Sequence, residues 1–172
     1  MTRRLFAACA ACALSLLLAG CSPKYNWRDY ASPDAPYSVM FPAKPGTFTR
    51  TIDLDGMQVA MTMTAAEVDG ATFAVGAAEA PDAARAQAAL EAMQVALVRN
   101  IGATVTSQKA TADTDHATRD VDATGSRNGV AMHLVGHFEA RGKRFYQVIA
   151  MGHADALPAE QVEQFLTSFK LP

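Results

Sequence analysis

Phe48-Thr49-Arg50-Thr51-Ile52-Asp53-Leu54-Asp55-Gly56-Met57-Gln58-Val59-Ala60-Met61-Thr62-Met63 decides the fold class. Asp55-Gly56 is a favoured two-residue hairpin turn. Pairing outward from it sets Leu54 opposite Met57, Ile52 opposite Val59, Arg50 opposite Met61 and Phe48 opposite Met63. That face is almost wholly apolar, while Asp53, Thr51 and Thr49 meet Gln58, Ala60 and Thr62 on the other. Such alternation marks an antiparallel sheet with one wetter face.

Downstream, Asp69-Gly70 marks a second reversal. A strict two-residue turn there puts Phe73 and Val75 on the face opposite Met61 and Met63, so a single core predicts a three-residue bulged loop, Asp69-Gly70-Ala71. Gly70 or a neighbour should then be left-handed. Upstream, Tyr37 to Phe41 reads as a short first strand, stopped by Pro42 and Pro45, which cannot donate to a ladder.

Asp82 suits an N-cap, and Ala86, Leu90, Met93, Leu97 and Ile101 recur at three and four residues, which predicts a long amphipathic helix. Gly102 suits the left-handed position just past its end. The many alanines favour helix and leave little bulk, so a close approach to the sheet is expected.

Thr104 to Ala110 reads as a strand, followed by a polar loop from Thr111 to His116. Ala117 to Gly125 alternates, Asn128-Gly129 turns it, and Val130 to Glu139 returns. This pairs Ala123 with Leu134, Gly125 with Met132 and Arg119 with Phe138. A further reversal near Arg141-Gly142 predicts Glu139 opposite Arg144, Phe138 opposite Phe145, Leu134 opposite Ile149 and Met132 opposite Met151. Three strands then share one core face. After Pro158, placed at the first helical position, Val162, Phe165, Leu166 and Phe169 repeat at helical spacing. The expected fold is α+β: a twisted antiparallel sheet of about six to seven strands, packed by one long central helix and a C-terminal helix.

The N-terminus carries a different kind of signal. Arg3 and Arg4 precede an apolar run from Leu5 to Leu18, too short for a confident transmembrane helix, and Leu18-Ala19-Gly20-Cys21 closes it. This stretch resembles the lipobox of bacterial lipoproteins. The resemblance implies a signal peptide over residues 1–20 and lipidation of Cys21; the prolines and absent period from Ser22 to Pro36 read as a tether over 21–36, and length favours a single domain over 37–172. Several acyl chains hold firmly, since each buried methylene contributes about 0.8 kcal/mol. In a Gram-negative host Ser22 after the cysteine, in place of an Asp, implies the periplasmic leaflet of the outer membrane. Cys9 and Cys12 then leave with the signal peptide, so Cys21 is the one cysteine of the mature chain and no thiol remains for a disulfide, a metal or a nucleophile. Trp27, the sole tryptophan, is a partner-binding anchor, an interfacial residue or a side chain packed on the domain edge.

Loss of Arg3 and Arg4 from the 15 basic residues leaves 13 against 17 acidic ones, a formal charge of about −4. Nucleic acid is excluded as an expected partner. Attachment to an anionic membrane surface then rests on acyl chains rather than on a basic patch.

The predicted registers set Asp120, His137 and Tyr146 side by side on the face away from the core, with Asp122 and His133 one step along. A histidine between a carboxylate and a phenol can shuttle protons; the same residues also describe a solvated sheet face. These three are the candidate catalytic residues. His133 and His137 have the spacing of helical zinc ligands, but in a strand they lie about 13 Å apart. His116 and His153 have no ligand partner in sequence. Met40, Met57, Met61, Met63, Met93, Met132 and Met151 invite a copper reading, yet periodicity assigns most of them to the core. No metal site and no cofactor is expected. Neither a phosphate-cradling glycine loop nor Gly-x-Ser-x-Gly occurs.

Tyr37-Ser38-Val39-Met40-Phe41-Pro42 and Phe165-Leu166-Thr167-Ser168-Phe169-Lys170-Leu171 resemble the ends of the PsbP/Mog1-like fold, an antiparallel sheet covered by helices. The order of elements between them agrees. Fold does not carry function, so the expectation is a membrane-tethered periplasmic lipoprotein serving as a non-catalytic binding or accessory module, its partner an unnamed envelope protein or component. An envelope hydrolase using the face around His137, and a metal or small-ligand carrier, are the alternatives.

Overall fold

The computed structural model describes residues 23–172. The lipobox, Leu18 to Cys21, lies outside them. Among the described residues nine strands and two α-helices follow in the order β1 (Arg28–Ala31), β2 (Ser38–Phe41), β3 (Gly46–Leu54), β4 (Met57–Val68), β5 (Ala71–Glu79), α1 (Ala83–Asn100), β6 (Ala103–Ala112), β7 (His116–Arg127), β8 (Val130–Arg141), β9 (Arg144–His153) and α2 (Ala159–Ser168), with a 3-10 turn at Ala154–Ala156 before α2. Strands β3 to β9 form one sheet in the order β3-β4-β5-β9-β8-β7-β6, and β1 pairs with β2 in a separate two-stranded sheet. The chain is α+β as expected, with antiparallel pairing throughout.

The β3–β4 hairpin has the anticipated register at every pair from Leu54–Met57 to Phe48–Met63. Asp55 and Gly56 both take positive φ, 54° and 83°, as a primed two-residue turn requires. The next reversal differs from expectation. Val68 pairs with Ala71, so Asp69 and Gly70 alone make the turn, at φ 47° and 82°. Gly70 is left-handed as foreseen, but there is no three-residue loop. Phe73 and Val75 do face away from Met61, because the sheet has two cores. One contains Met61, Leu90, Met93, Leu134, Phe138, Phe145 and Ile149 beneath α1. The other contains Phe41, Phe73, Val75, Tyr146, Val148 and Phe165 beneath α2 and β1–β2. The parity that suggested a bulge was the signature of this second core.

Helix α1 starts where its cap requires, with the Asp82 carboxylate accepting the Arg85 N–H at 2.8 Å, and it ends at Gly102, φ 63°. Ala86, Ala89, Leu90 and Met93 form its buried stripe. It lies across β6 to β9.

The β7–β8 hairpin turns at Asn128-Gly129 with the expected pairs. In the β8–β9 hairpin the register is displaced by two residues from expectation. Arg141 pairs with Arg144, Glu139 with Tyr146, Leu134 with Met151 and Met132 with His153. The turn is Gly142-Lys143, with Gly142 at φ 57°. Glycine in the first central position supplies the positive φ of a II′ turn, whereas a turn at Arg141-Gly142 would demand it of an arginine. A slip of two keeps every side chain on its face, so the core assignments survive and only the lateral neighbours change.

Of the segment 21–36, expected as a tether, the described part from residue 23 on is partly folded. Strand β1 lies within it, pairing Arg28 with Phe41 and Tyr30 with Val39. Trp27 packs edge-on to Phe73, with ring centroids 6.4 Å apart, and its indole N–H donates to Gln161 Oε1 at 3.2 Å. It is a packed residue of the domain. Pro158 caps α2 rather than opening it. Past the helix end, Lys170 and Ser38 exchange backbone hydrogen bonds of 2.9 and 3.0 Å, fastening the C-terminus to β2.

Two buried faces make a specific demand. Phe73 and Phe138, both fully buried on opposite faces, should each lose about 3–5 kcal/mol of unfolding free energy on substitution by alanine. Urea titration measures both. A loss below about 1 kcal/mol for Phe73→Ala would mean that the second face is not a core.

Candidate functional site

Alternation along β7 and β8 places Asp120, Asp122, His133, His137 and Glu139 on the face of the second core, beyond the part that α2 covers. His137 Nδ1 lies 2.6 Å from Asp120 Oδ1, and its Nε2 lies 3.4 Å from Glu139 Oε2. His116 Nε2 meets the other Glu139 oxygen at 2.9 Å, and Arg141 Nη2 donates to the same oxygen at 3.3 Å. Arg141 Nη1 also donates to the carbonyl of Pro172 at 2.9 Å, so the chain's last residue closes the cluster. One step along, His133 Nε2 and Asp122 Oδ1 are 2.9 Å apart.

Of the expected trio, Asp120 and His137 are directly opposed, whereas Tyr146 stands opposite Glu139. The register displacement accounts for this. Tyr146 is buried against Phe169, at 5.7 Å between centroids, and burial pushes its phenol up, so it remains protonated at neutral pH. The residue sequence reasoning missed is Glu139, which holds the cluster's centre. Its place two residues from His137 in one strand put it on the same face, a signal that was available, but the displaced register assigned it to Arg144. Arg144 instead faces Glu79 at 3.8 Å.

Electrostatics follow from these contacts. The hydrogen bond from His137, with His116 adding to it, holds the Glu139 carboxyl below its ordinary value against the opposing effect of burial. For His137, burial favours the neutral ring, but the bonds to Glu139 and Asp120 together outweigh it and raise the imidazole. Each ring nitrogen of His137 thus faces a carboxylate, and both bonds are charge-assisted when the ring is protonated. Among the described residues no three His, Cys, Asp or Glu side chains converge as a metal site, and no helix is long and apolar enough to cross a membrane.

Hollows lie elsewhere. The widest described, about 830 Å³, runs between the β3–β4 hairpin and α1, with Leu54, Met57, Ala89, Ala92 and Val95 in its walls and Arg85 and Arg99 at its rim. A hollow of about 170 Å³ sits between Tyr37, Tyr146 and Arg144, and a third separates β1–β2 from α2. His137 lines none of the three. No family model matches the chain, and no curated protein is similar to it.

The cluster fixes a pH dependence of stability. Glu139, depressed in the fold, contributes above its ordinary 4.5 and loses that contribution as pH falls through its folded value. His137, raised in the fold, contributes fully below its ordinary 6.5 and loses that contribution as pH rises through its folded value. The two are complete together between those ordinary values. Thermal unfolding followed by circular dichroism should therefore give a midpoint a few degrees lower at pH 8.5 than at pH 6, and His137→Gln should flatten the difference. An unchanged slope in that variant would remove His137 as its cause.

Proposed function

We propose that the chain is a non-catalytic binding module of the cell envelope, held by acyl chains on Cys21 at the periplasmic leaflet of the outer membrane, whose α+β domain engages an envelope protein or component. The observation that carries the non-catalytic part is the engagement of both His137 ring nitrogens, at 2.6 and 3.4 Å, by carboxylates. The His137 side chain is spent on joining β8 to β7 through Asp120. Helices on both faces of an antiparallel sheet support the PsbP/Mog1-like resemblance within the same reading.

Binding is better served by the hollow beside α1. Its lining includes Met57, an apolar side chain that is only partly covered, and methionine adapts to irregular partners. Val95, 54% exposed on its helical wall, leaves a large apolar side chain in water without a packing role.

Two measurements test the reading. Mass spectrometry of the membrane-extracted chain should find a mature N-terminus at Cys21 bearing diacylglycerol, and Cys21→Ser should move the protein to the soluble fraction. A full-length, unacylated chain would end the lipoprotein part. Capture of the anchored protein from envelope extracts should recover a stoichiometric partner that is lost in Val95→Asp while the melting temperature is kept. If Val95→Asp retains that partner, the hollow is not where it binds.

A further inference from the structure

The seven-stranded sheet has two edges, and they are built differently. On β6 the register shifts between Val105 and Ser107, a bulge at Thr106 whose hydroxyl turns back to the Asp122 carbonyl at 3.1 Å. Bulges and edge lysines, here Lys109, blunt an edge against further pairing. Strand β3 has no bulge and no lysine, its charged side chains being Arg50 and Asp53. It pairs with β4 without interruption from Gly46 to Leu54, its outer edge is unpaired among the described residues, and its side chains are exposed from Gly46 to Thr51. Because Leu54 and Met57 flank a two-residue turn, they and every second pair exchange the ladder bonds with β4. The N–H and C=O groups of Thr47, Thr49 and Thr51 therefore point away from the sheet.

We propose that β3 pairs antiparallel with β3 of a second copy of this chain, about a two-fold axis through Thr49. Symmetry and charge select this partner and register. A two-fold axis normal to the sheet keeps like faces together, and an axis through Arg50 would set guanidinium against guanidinium, which is unfavourable. With the axis at Thr49, Thr47 faces Thr51 of the second copy and Phe48 faces its Arg50. That contact repeats between chains what already occurs within one, where the Arg50 guanidinium lies 6.0 Å from the Phe48 ring centroid, and it covers a phenylalanine that is 52% exposed. Lys44 comes level with Leu54 of the second copy, between that copy's Asp53 and Asp55, so opposite charges meet at both ends of the pairing. About six ladder bonds form. An axis at Thr51 instead sets Arg50 against Ile52 and carries Lys44 beyond the facing strand. The pairing stands independently of the lipoprotein reading; anchoring in one membrane would raise the local concentration of the two copies.

The test introduces cysteine at Thr49 in the full chain. Self-paired residues lie about 5.5 Å apart between Cα atoms, within disulfide range, so mild oxidation of T49C should give a disulfide dimer of two copies. K109C, on the β6 edge, should behave as the wild-type chain with its native cysteines does. Sedimentation of the full chain in mild detergent at about 100 μM, a concentration chosen for the weak end of interface size, should show a dimer that becomes monomeric in Thr49→Pro, which removes an outward N–H and none directed at β4. The proposal is overturned if T49C cross-links no more than K109C, if its product contains a different protein, or if Thr49→Pro remains dimeric. Should the proline variant fail to fold, the T49C and K109C comparison decides.

Discussion

The pairing of β5 with β9 is the constraint on which the rest of the structure depends. Both strands are buried on both faces: Phe73 and Val75 with Tyr146 and Val148 point to one core, Ala74 with Phe145 and Ile149 to the other. Strand periodicity makes this a double lock. A slip of one residue would exchange the faces and send Phe73 into the space that Ala74 leaves for α1. Helix α1 packs on Leu134, Phe138, Phe145 and Ile149, and α2 on Phe41 and Phe73. Phe165 meets Phe73 edge-on at 5.4 Å and Phe41 at 5.5 Å, so the C-terminal helix, the small β1–β2 sheet and the central strands share one aromatic contact set.

Much of this was legible from residues because the decisive signals are local. Asp55-Gly56 and Asn128-Gly129 supply the positive φ of their turns, and Asp82 with Gly102 brackets α1. What was not legible depends on what covers a face. The Asp69-Gly70 turn was misread because one core was assumed, and no local rule says whether a sheet is covered once or twice. Strand β1 was missed because Arg28 to Ala31 has no apolar alternation of its own; it is held by β2 and by Tyr30 against Phe41 at 5.6 Å. The β8–β9 register failed by two because apolar alternation cannot tell registers two apart. Only Gly142's position in its turn distinguishes them.

That last displacement decided the polar site as well. With Tyr146 beside His137, the face suggested a proton relay; with Glu139 in that neighbourhood, it is a charge network. Glu139 is close to fully buried, its side chain 12% exposed, and a carboxylate so placed is stable only when paired. His116, His137 and Arg141 supply the pairing from β7 and β8. His137 on β8 thus answers a burial problem, and its raised ionisation is a consequence of that answer.

The two covering layers are offset across the sheet, and the offset sorts its exposed surface into two kinds. Helix α1 lies over β6 to β9, so the first face of β3 is exposed at Phe48 and Arg50 while Val59 and Met61 of β4 are buried. Helix α2 and the β1–β2 sheet lie over the central strands and leave the second face of β7 and β8 open. At the open end of β7 and β8 the chain has placed Asp120, Asp122, His133 and His137, side chains that satisfy one another and tolerate water. On β3 and β4 it has placed Phe48, which is exposed, and Ile52, Met57 and Met63, which are partly buried against the first core. Scattered apolar side chains on a surface need no explanation. Phe48, 52% exposed on an edge strand that pairs with β4 without interruption, contrasts with the charged side chains at the opposite corner, which satisfy one another.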